Sequence, residues 1–329
     1  MIQPSRRAKA PSKFPIRNGQ KPRILPGYGS DPTLTRFVGI GPFHSLLIPG
    51  LVPDGLETFH RVRKHFQAKG EVSVLTYPYE GFTLDILFDR IEQFLSDCSK
   101  RKKRPLLVGV SVGGGFVLEF LRRQKLAGKE PDLAGLVLVS PMVSAQDLAP
   151  ILRRLWLPIV ADEPTADQAL EKGRSFFRQL ASKSAAAKSN VPAGWKGFFA
   201  AFTPQGMNDL LEAPLRRRIE KTLHAIPAQG AILRCRLLKE LTGLEKGGPS
   251  AVLTRKPTLI LWGSKERHTL DIDGPGVGVL CRPDLAEKHF PECQVQWIYS
   301  GDGEAVPHAS LLKHDKAFGR PIKEFLARL

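Results

Sequence analysis

Three kinds of side chain that could carry out acyl chemistry stand at telling positions in this chain: a serine, two acids and a histidine. Ser111 is the centre of Gly109-Val-Ser111-Val-Gly113. The apolar run Pro105 to Val110 leads into it, and Phe116, Val117, Phe120 and Leu121 follow at helical spacing. A strand that turns sharply at a serine and enters a helix at once holds the hydroxyl proud of a sheet. Glycines on either side are needed because a Cβ there would strike the neighbouring strand or helix. The helix N-terminus carries partial positive charge, which favours an oxyanion. Five residues of this pattern also describe an ordinary Gly-rich turn, so the flanking strand and helix carry the reading.

A serine hydroxyl is a poor nucleophile at neutral pH until a base takes its proton and an acid orients that base. On a turn of this type the expected chain order is Ser, then Asp or Glu, then His. Glu266 stands three residues past Gly263, where the run Thr258 to Trp262 ends as a strand. Asp271, deeper in a Gly-rich loop, is the alternative acid, and Asp147 is a third option after the strand ending at Ser140. His308 lies in the loop after the last strand, Gln294 to Tyr299, just before the helical run Ala309 to His314. His314 reads as a helix-face residue. Backbone donors for an oxyanion would be the N–H of Val112 and the N–H of Leu51. Pro49 has no N–H, and Gly50 allows close approach.

These residues need a frame that brings strand ends together. Ser45 to Ile48, Val72 to Thr76 and Leu136 to Val139 are further short apolar strands. Helical patterns over Leu56–Lys69 and Leu84–Leu95 separate the first of them, and Ile322–Leu329 closes the chain. Alternating strands and helices predict an α/β fold: a mostly parallel, doubly wound sheet with helices on both faces. Ligands of such sheets sit beyond the carboxyl ends of the strands, where all the candidate loops fall. The core is expected over 41–142 and 256–329. Residues 143–255 read as an inserted helical cap, with helices over 148–157, 166–188, 208–224 and 231–241. The aromatic cluster Trp195, Phe198, Phe199 and Phe202 reads as core of that cap. Residues 1–40 are basic and Pro-rich, without apolar periodicity, and read as a flexible tail.

At 329 residues, with 42% hydrophobic and 25% charged residues, the composition is that of a globular protein with a sizeable core. No apolar run is long enough to cross a bilayer, and the N-terminus lacks the apolar stretch of a secretory signal. Cys98, Cys235, Cys281 and Cys293 have no metal-type spacing and read as buried or idle thiols in a reducing compartment, so the cytoplasm is expected. The net charge of +17 is spread along the chain without a nucleic-acid-binding signature. It reads as a solvated basic surface, with weak association to an anionic surface through the tail as an added expectation.

Taken together, Ile48-Pro49-Gly50-Leu51, Gly109-Val-Ser111-Val-Gly113-Gly114, Leu261-Trp262-Gly263-Ser-Lys-Glu266 and Pro307-His308 resemble the α/β-hydrolase superfamily over residues 43–329. The overall look is that of capped esterases and monoacylglycerol-type lipases. The family usually has Asp where Glu266 stands, Gly before the histidine, and often His-Gly where Pro49-Gly50 stands. The resemblance implies a serine hydrolase that needs no cofactor or metal, acting on a small molecule with an apolar acyl group. Ser111 would be the nucleophile, His308 the base and Glu266 the orienting acid. Two other functions remain open. One is a non-catalytic binding protein of hydrolase fold for an anionic partner. The other is an acyltransferase using the same residues.

Overall fold

The computed structural model describes residues 31–150, 152–154, 252–301, 303 and 305–329, together with positions 215, 218, 219, 221, 222 and 225–244. Seven strands form one sheet: β1 (Thr33–Phe37), β2 (Phe43–Ile48), β3 (Gly70–Thr76), β4 (Arg104–Val110), β5 (Gly135–Val139), β6 (Thr258–Gly263) and β7 (Cys293–Ile298). Their spatial order is β1-β3-β2-β4-β5-β6-β7. Only β1 runs antiparallel, pairing with β3 from Thr33 opposite Thr76 to Phe37 opposite Val72. The parallel register sets Ile48 beside Gly109, Val110 beside Val139, and Gly263 beside Ile298. The carboxyl ends of the central strands therefore share one edge.

Strands β2, β5 and β6 are buried at every residue, as a sheet covered on both faces requires. Alternate side chains feed two cores. Leu46, Ile48, Leu107, Leu138, Ile260 and Trp262 pack under α3 (Leu84–Lys100) and α4 (Val112–Leu126). Leu47, Val74, Val108, Val139 and Leu261 pack on the other face. There they meet Phe59, Val62 and Phe66 and the C-terminal helix α8 (Asp315–Arg328). Thr83 caps α3 by accepting the Ile86 N–H at 3.3 Å. Between β5 and β6 the chain forms α5 (Ala228–Glu240), and between β6 and β7 the short helices α6 (Val277–Leu280) and α7 (Pro283–Ala286).

Several local expectations are corrected. Residues 33–37, placed in the tail, form the edge strand β1. The single helix expected over 56–69 is split into α1 (Gly55–Thr58) and α2 (Arg63–Gln67). Its apolar face survives the break, because Phe59, Val62 and Phe66 stay in one cluster. The run Ala309–His314 is a series of turns, with Ala309 at φ 48°, and α8 starts at Asp315 and runs through Pro321. Residues 1–30, the expected helix over 166–188, most of that over 208–224, and the aromatics at 195–202 lie outside the described residues. Cys98, Cys235 and Cys281 are buried, and burial pushes the Cys98 and Cys235 thiols up to about 12. Among the described residues no helix is long and apolar enough to cross a membrane.

Near the start of β2, His44 shows what burial does to a titratable group in this core. Its Nε2 lies 2.9 Å from Ser73 Oγ, and its ring meets Phe94 edge-on. Burial is the main reason its pKa falls from 6.5 to about 4. Glu71 opposes the shift, while Arg36, Arg101 and Lys103 add to it. The folded-state value is depressed, so between pH 6.5 and 4 only the unfolded chain takes the proton. The stability tied to neutral His44 is present above pH 6.5 and is lost as pH falls toward 4. The His44 ring is expected to stay neutral at pH 5.5 in an NMR titration of the imidazole nitrogens; titration near 6.5 would contradict this.

Candidate active site

The turn from β4 into α4 is built by contact. A Cβ on Gly113 would lie 2.2 Å from the Pro49 carbonyl oxygen and 2.5 Å from that of Ile48. Only glycine lets the first turn of α4 approach the loop after β2 this closely. Ser111 takes φ 54° and ψ −123°, a conformation that side-chain-bearing residues avoid at a cost of about 1–3 kcal/mol. Its backbone is held on both sides. The Ser111 N–H donates to Val139 at 2.8 Å, and its carbonyl accepts from Gly114 and Met142 at 2.9 and 3.1 Å.

Ser111, His308 and Glu266 meet in one hydrogen-bonded chain. Ser111 Oγ is 2.9 Å from His308 Nε2, and His308 Nδ1 is 2.6 Å from Glu266 Oε2. A neutral imidazole with its proton on Nδ1 donates to the carboxylate and leaves Nε2 as the acceptor for the serine hydroxyl. Glu266 is 1% exposed. Its other oxygen accepts the Gly263 N–H at 2.8 Å and the hydroxyl of Ser140. A carboxylate buried this deeply needs such donors to offset the loss of its hydration. The loops of Glu266 and His308 are tied to each other. Val306 N–H donates to Ser264 Oγ at 2.8 Å, and Lys265 N–H donates to the Val306 carbonyl at 2.9 Å.

Ser140 is a site residue that sequence reasoning missed. Its hydroxyl donates to Glu266 and accepts the Ala309 N–H at 3.1 Å, so it joins the acid's loop to the residue after His308. Its signal was its position at the carboxyl end of an apolar strand. Ser111, Ser140 and Ala309 all have positive φ, and the only other such non-glycine residue described is Lys102. Backbone strain is thus concentrated at this edge.

The other acids stand outside the chain. Asp271 accepts from the Asp273 N–H at 3.2 Å, while His308 Nδ1 meets Glu266. Asp147 accepts four backbone N–H groups, from Val143, Ser144, Gly276 and Val277, and clasps two loops together. Burial nonetheless raises its pKa. His314 bonds to Ser310 Oγ at 2.9 Å, away from Ser111. As the first residue of α4, Val112 has an N–H without an intrahelical acceptor. Gly50 lies against the serine, since a Cβ on it would sit 3.6 Å from Ser111 Oγ. Val112 and Gly50 thus both adjoin Ser111, one by sequence and one by contact. Among the described residues no group of acidic, histidine and cysteine side chains could hold a metal ion.

Solved structures with this arrangement of elements are numerous. A thermophilic esterase from Thermogutta terrifontis superimposes with a TM-score of 0.54 at 16% identity, covering 90% of this chain and 93% of its own. MenH from S. aureus gives 0.57 at 15%, covering 90% and 98%. The chain has the α/β-hydrolase fold. A bromoperoxidase from Bacillus anthracis shares this fold too, at TM-score 0.55 and 18% identity over 89% and 95% of the two chains. The α/β-hydrolase fold thus hosts different activities, and the site must decide between them. No family model matches the chain, and no curated protein matches its sequence.

The contact at Gly113 gives a direct test of the turn. Gly113→Ala is expected to lower stability by about 1–3 kcal/mol through overpacking against the Pro49 carbonyl. Urea unfolding checks this, and an unchanged midpoint would contradict it.

Proposed function

We propose that this protein is a serine hydrolase that cleaves a carboxylic ester or thioester through an acyl-enzyme on Ser111. The observation that carries the reading is the continuous chain from Ser111 Oγ through His308 to Glu266. His308 Nε2 takes the hydroxyl proton as Oγ attacks the substrate carbonyl carbon. The negative charge that forms on the carbonyl oxygen is met by the N–H groups of Val112 and Leu51. The tetrahedral species collapses, and the leaving alcohol or thiol departs with the proton held by His308. Water then attacks the acyl-serine with His308 again as base, and the acid product leaves as Ser111 regains its proton. Glu266 fixes the imidazole tautomer and stabilises the imidazolium. No cofactor or metal enters the scheme. An acyltransferase would use the same first half-reaction, with an alcohol or amine in place of water, and product analysis separates the two.

Two measurements test the assignment. A fluorophosphonate probe is expected to label the wild-type protein and not Ser111→Ala; equal labelling of both would overturn it. In turnover of a panel of p-nitrophenyl acyl esters and acyl thioesters, Glu266→Gln is expected to lower kcat by about a thousandfold or more. Asp271→Asn should stay near wild type. Loss with Asp271→Asn and retention with Glu266→Gln would reverse the choice of acid.

A further inference from the structure

Arg234 of α5 is fully buried, yet the proposed reaction does not use it. An arginine is rarely buried without work for its guanidinium, because desolvation of the charge is costly. Here the guanidinium spans two loops. Nη2 donates to the carbonyls of Tyr77 and Pro78 at 3.2 and 3.0 Å, and Nη1 donates to the carbonyl of Leu51 at 3.1 Å. The Tyr77 hydroxyl, also buried, donates to the carbonyl of Pro49 at 2.8 Å. The guanidinium carbon lies 5.6 Å from the centre of the Tyr77 ring. Asp54, buried on the same loop, supplies opposite charge.

The sequence positions of these bonds matter. The Leu51 N–H belongs to the peptide between Gly50 and Leu51. Tyr77 holds the carbonyl of the peptide before it, and Arg234 holds the carbonyl of the peptide after it. The peptide whose N–H the proposed reaction uses beside that of Val112 is therefore held from both flanks. Tyr77 and Arg234 are also joined to each other through the Tyr77 carbonyl. Helix α5 is seated closely enough to act as a support, since a Cβ on Gly230 would lie 1.7 Å from the Tyr79 carbonyl oxygen.

We infer that Arg234 and Tyr77 are positioning residues that hold the Gly50–Leu51 peptide as an oxyanion donor, with Arg234 reaching in from the segment inserted between β5 and β6. The role rests on the serine hydrolase reading. It adds to it that the inserted segment helps assemble the site. A hydrogen bond aimed at developing charge loses much of its effect when its donor moves by an ångström. Removing either anchor should therefore slow chemistry more than it weakens substrate binding.

The test uses the full chain with Arg234→Met, Arg234→Lys and Tyr77→Phe, the last of which deletes one hydroxyl and keeps the ring. On p-nitrophenyl esters, Tyr77→Phe and Arg234→Met are expected to lower kcat by about tenfold to a hundredfold. KM should change little, and Arg234→Lys should recover part of the loss. Affinity for a trifluoromethyl ketone, which forms an oxyanion on Ser111, should fall in step with kcat. Hydrogen–deuterium exchange should rise in the peptide covering 49–53 and not in β4. The proposal is overturned if Tyr77→Phe leaves kcat, ketone affinity and loop exchange at wild-type values, or if KM rises with kcat unchanged. Wild-type protein that neither turns over esters nor takes up the fluorophosphonate would defeat the hydrolase reading alone. Exchange at 49–53 would still show whether the two residues hold the loop.

Discussion

The Glu266 carboxylate is the interaction on which this edge of the molecule depends. It is buried, and it draws donors from three separate strand ends: Gly263 at the end of β6, Ser140 after β5 and His308 after β7. Each donor belongs to a different strand end or the loop beyond it, so satisfying one carboxylate fixes the relative position of all three. Withdrawing any donor would leave the charge under-solvated in a place water does not easily reach. The geometry at Ser111 is therefore secured indirectly. The imidazole that faces it is held by an acid that is itself held by the sheet.

The same edge stores backbone strain. Ser111, Ser140 and Ala309 occupy positive φ, and all three lie within this hydrogen-bonded cluster. Strain of this kind persists only where surrounding contacts over-determine it. The parallel register does so, because Val110 and Val139 end side by side and Ser140 N–H continues the ladder to Leu261 at 2.7 Å. The burial of β4, β5 and β6 thus does more than stabilise the fold. It makes the strand ends stiff enough to aim three loops at one point.

What the sequence made legible follows from this division. Fully buried parallel strands are written as continuous apolar runs, so Ser45–Ile48, Leu136–Val139 and Thr258–Trp262 could be read directly. The serine turn could be read because its glycines answer to local collisions. Edge strand β1 could not, since Thr33-Leu-Thr-Arg-Phe37 is half-buried, follows a Pro-rich stretch and gains its strand character from pairing with β3. Ser140 and Arg234 were hidden for a different reason. Each acts across more than a hundred residues of sequence, and neither has a neighbour that marks it. Arg234 looks like any other cation in Leu233-Arg-Cys-Arg-Leu237 until the carbonyls it meets are known.

The charge of the chain also reads differently once burial is known. Asp54, Glu57, Glu71, Glu119, Asp147 and Glu266 are all buried, whereas Arg234 is the only arginine or lysine buried among the described residues. The acids cap α1, clasp loops and bond His308, and several are paired to arginines whose own side chains reach solvent. Each such pair nearly cancels itself, so the excess of bases that gives the chain its net charge of +17 is what sets the field outside the protein. That field governs what the protein meets and how fast. Solvent and salt screen those exposed charges over about 10 Å, whereas the buried contacts of Glu266 with Gly263, Ser140 and His308 are set by their own short-range geometry.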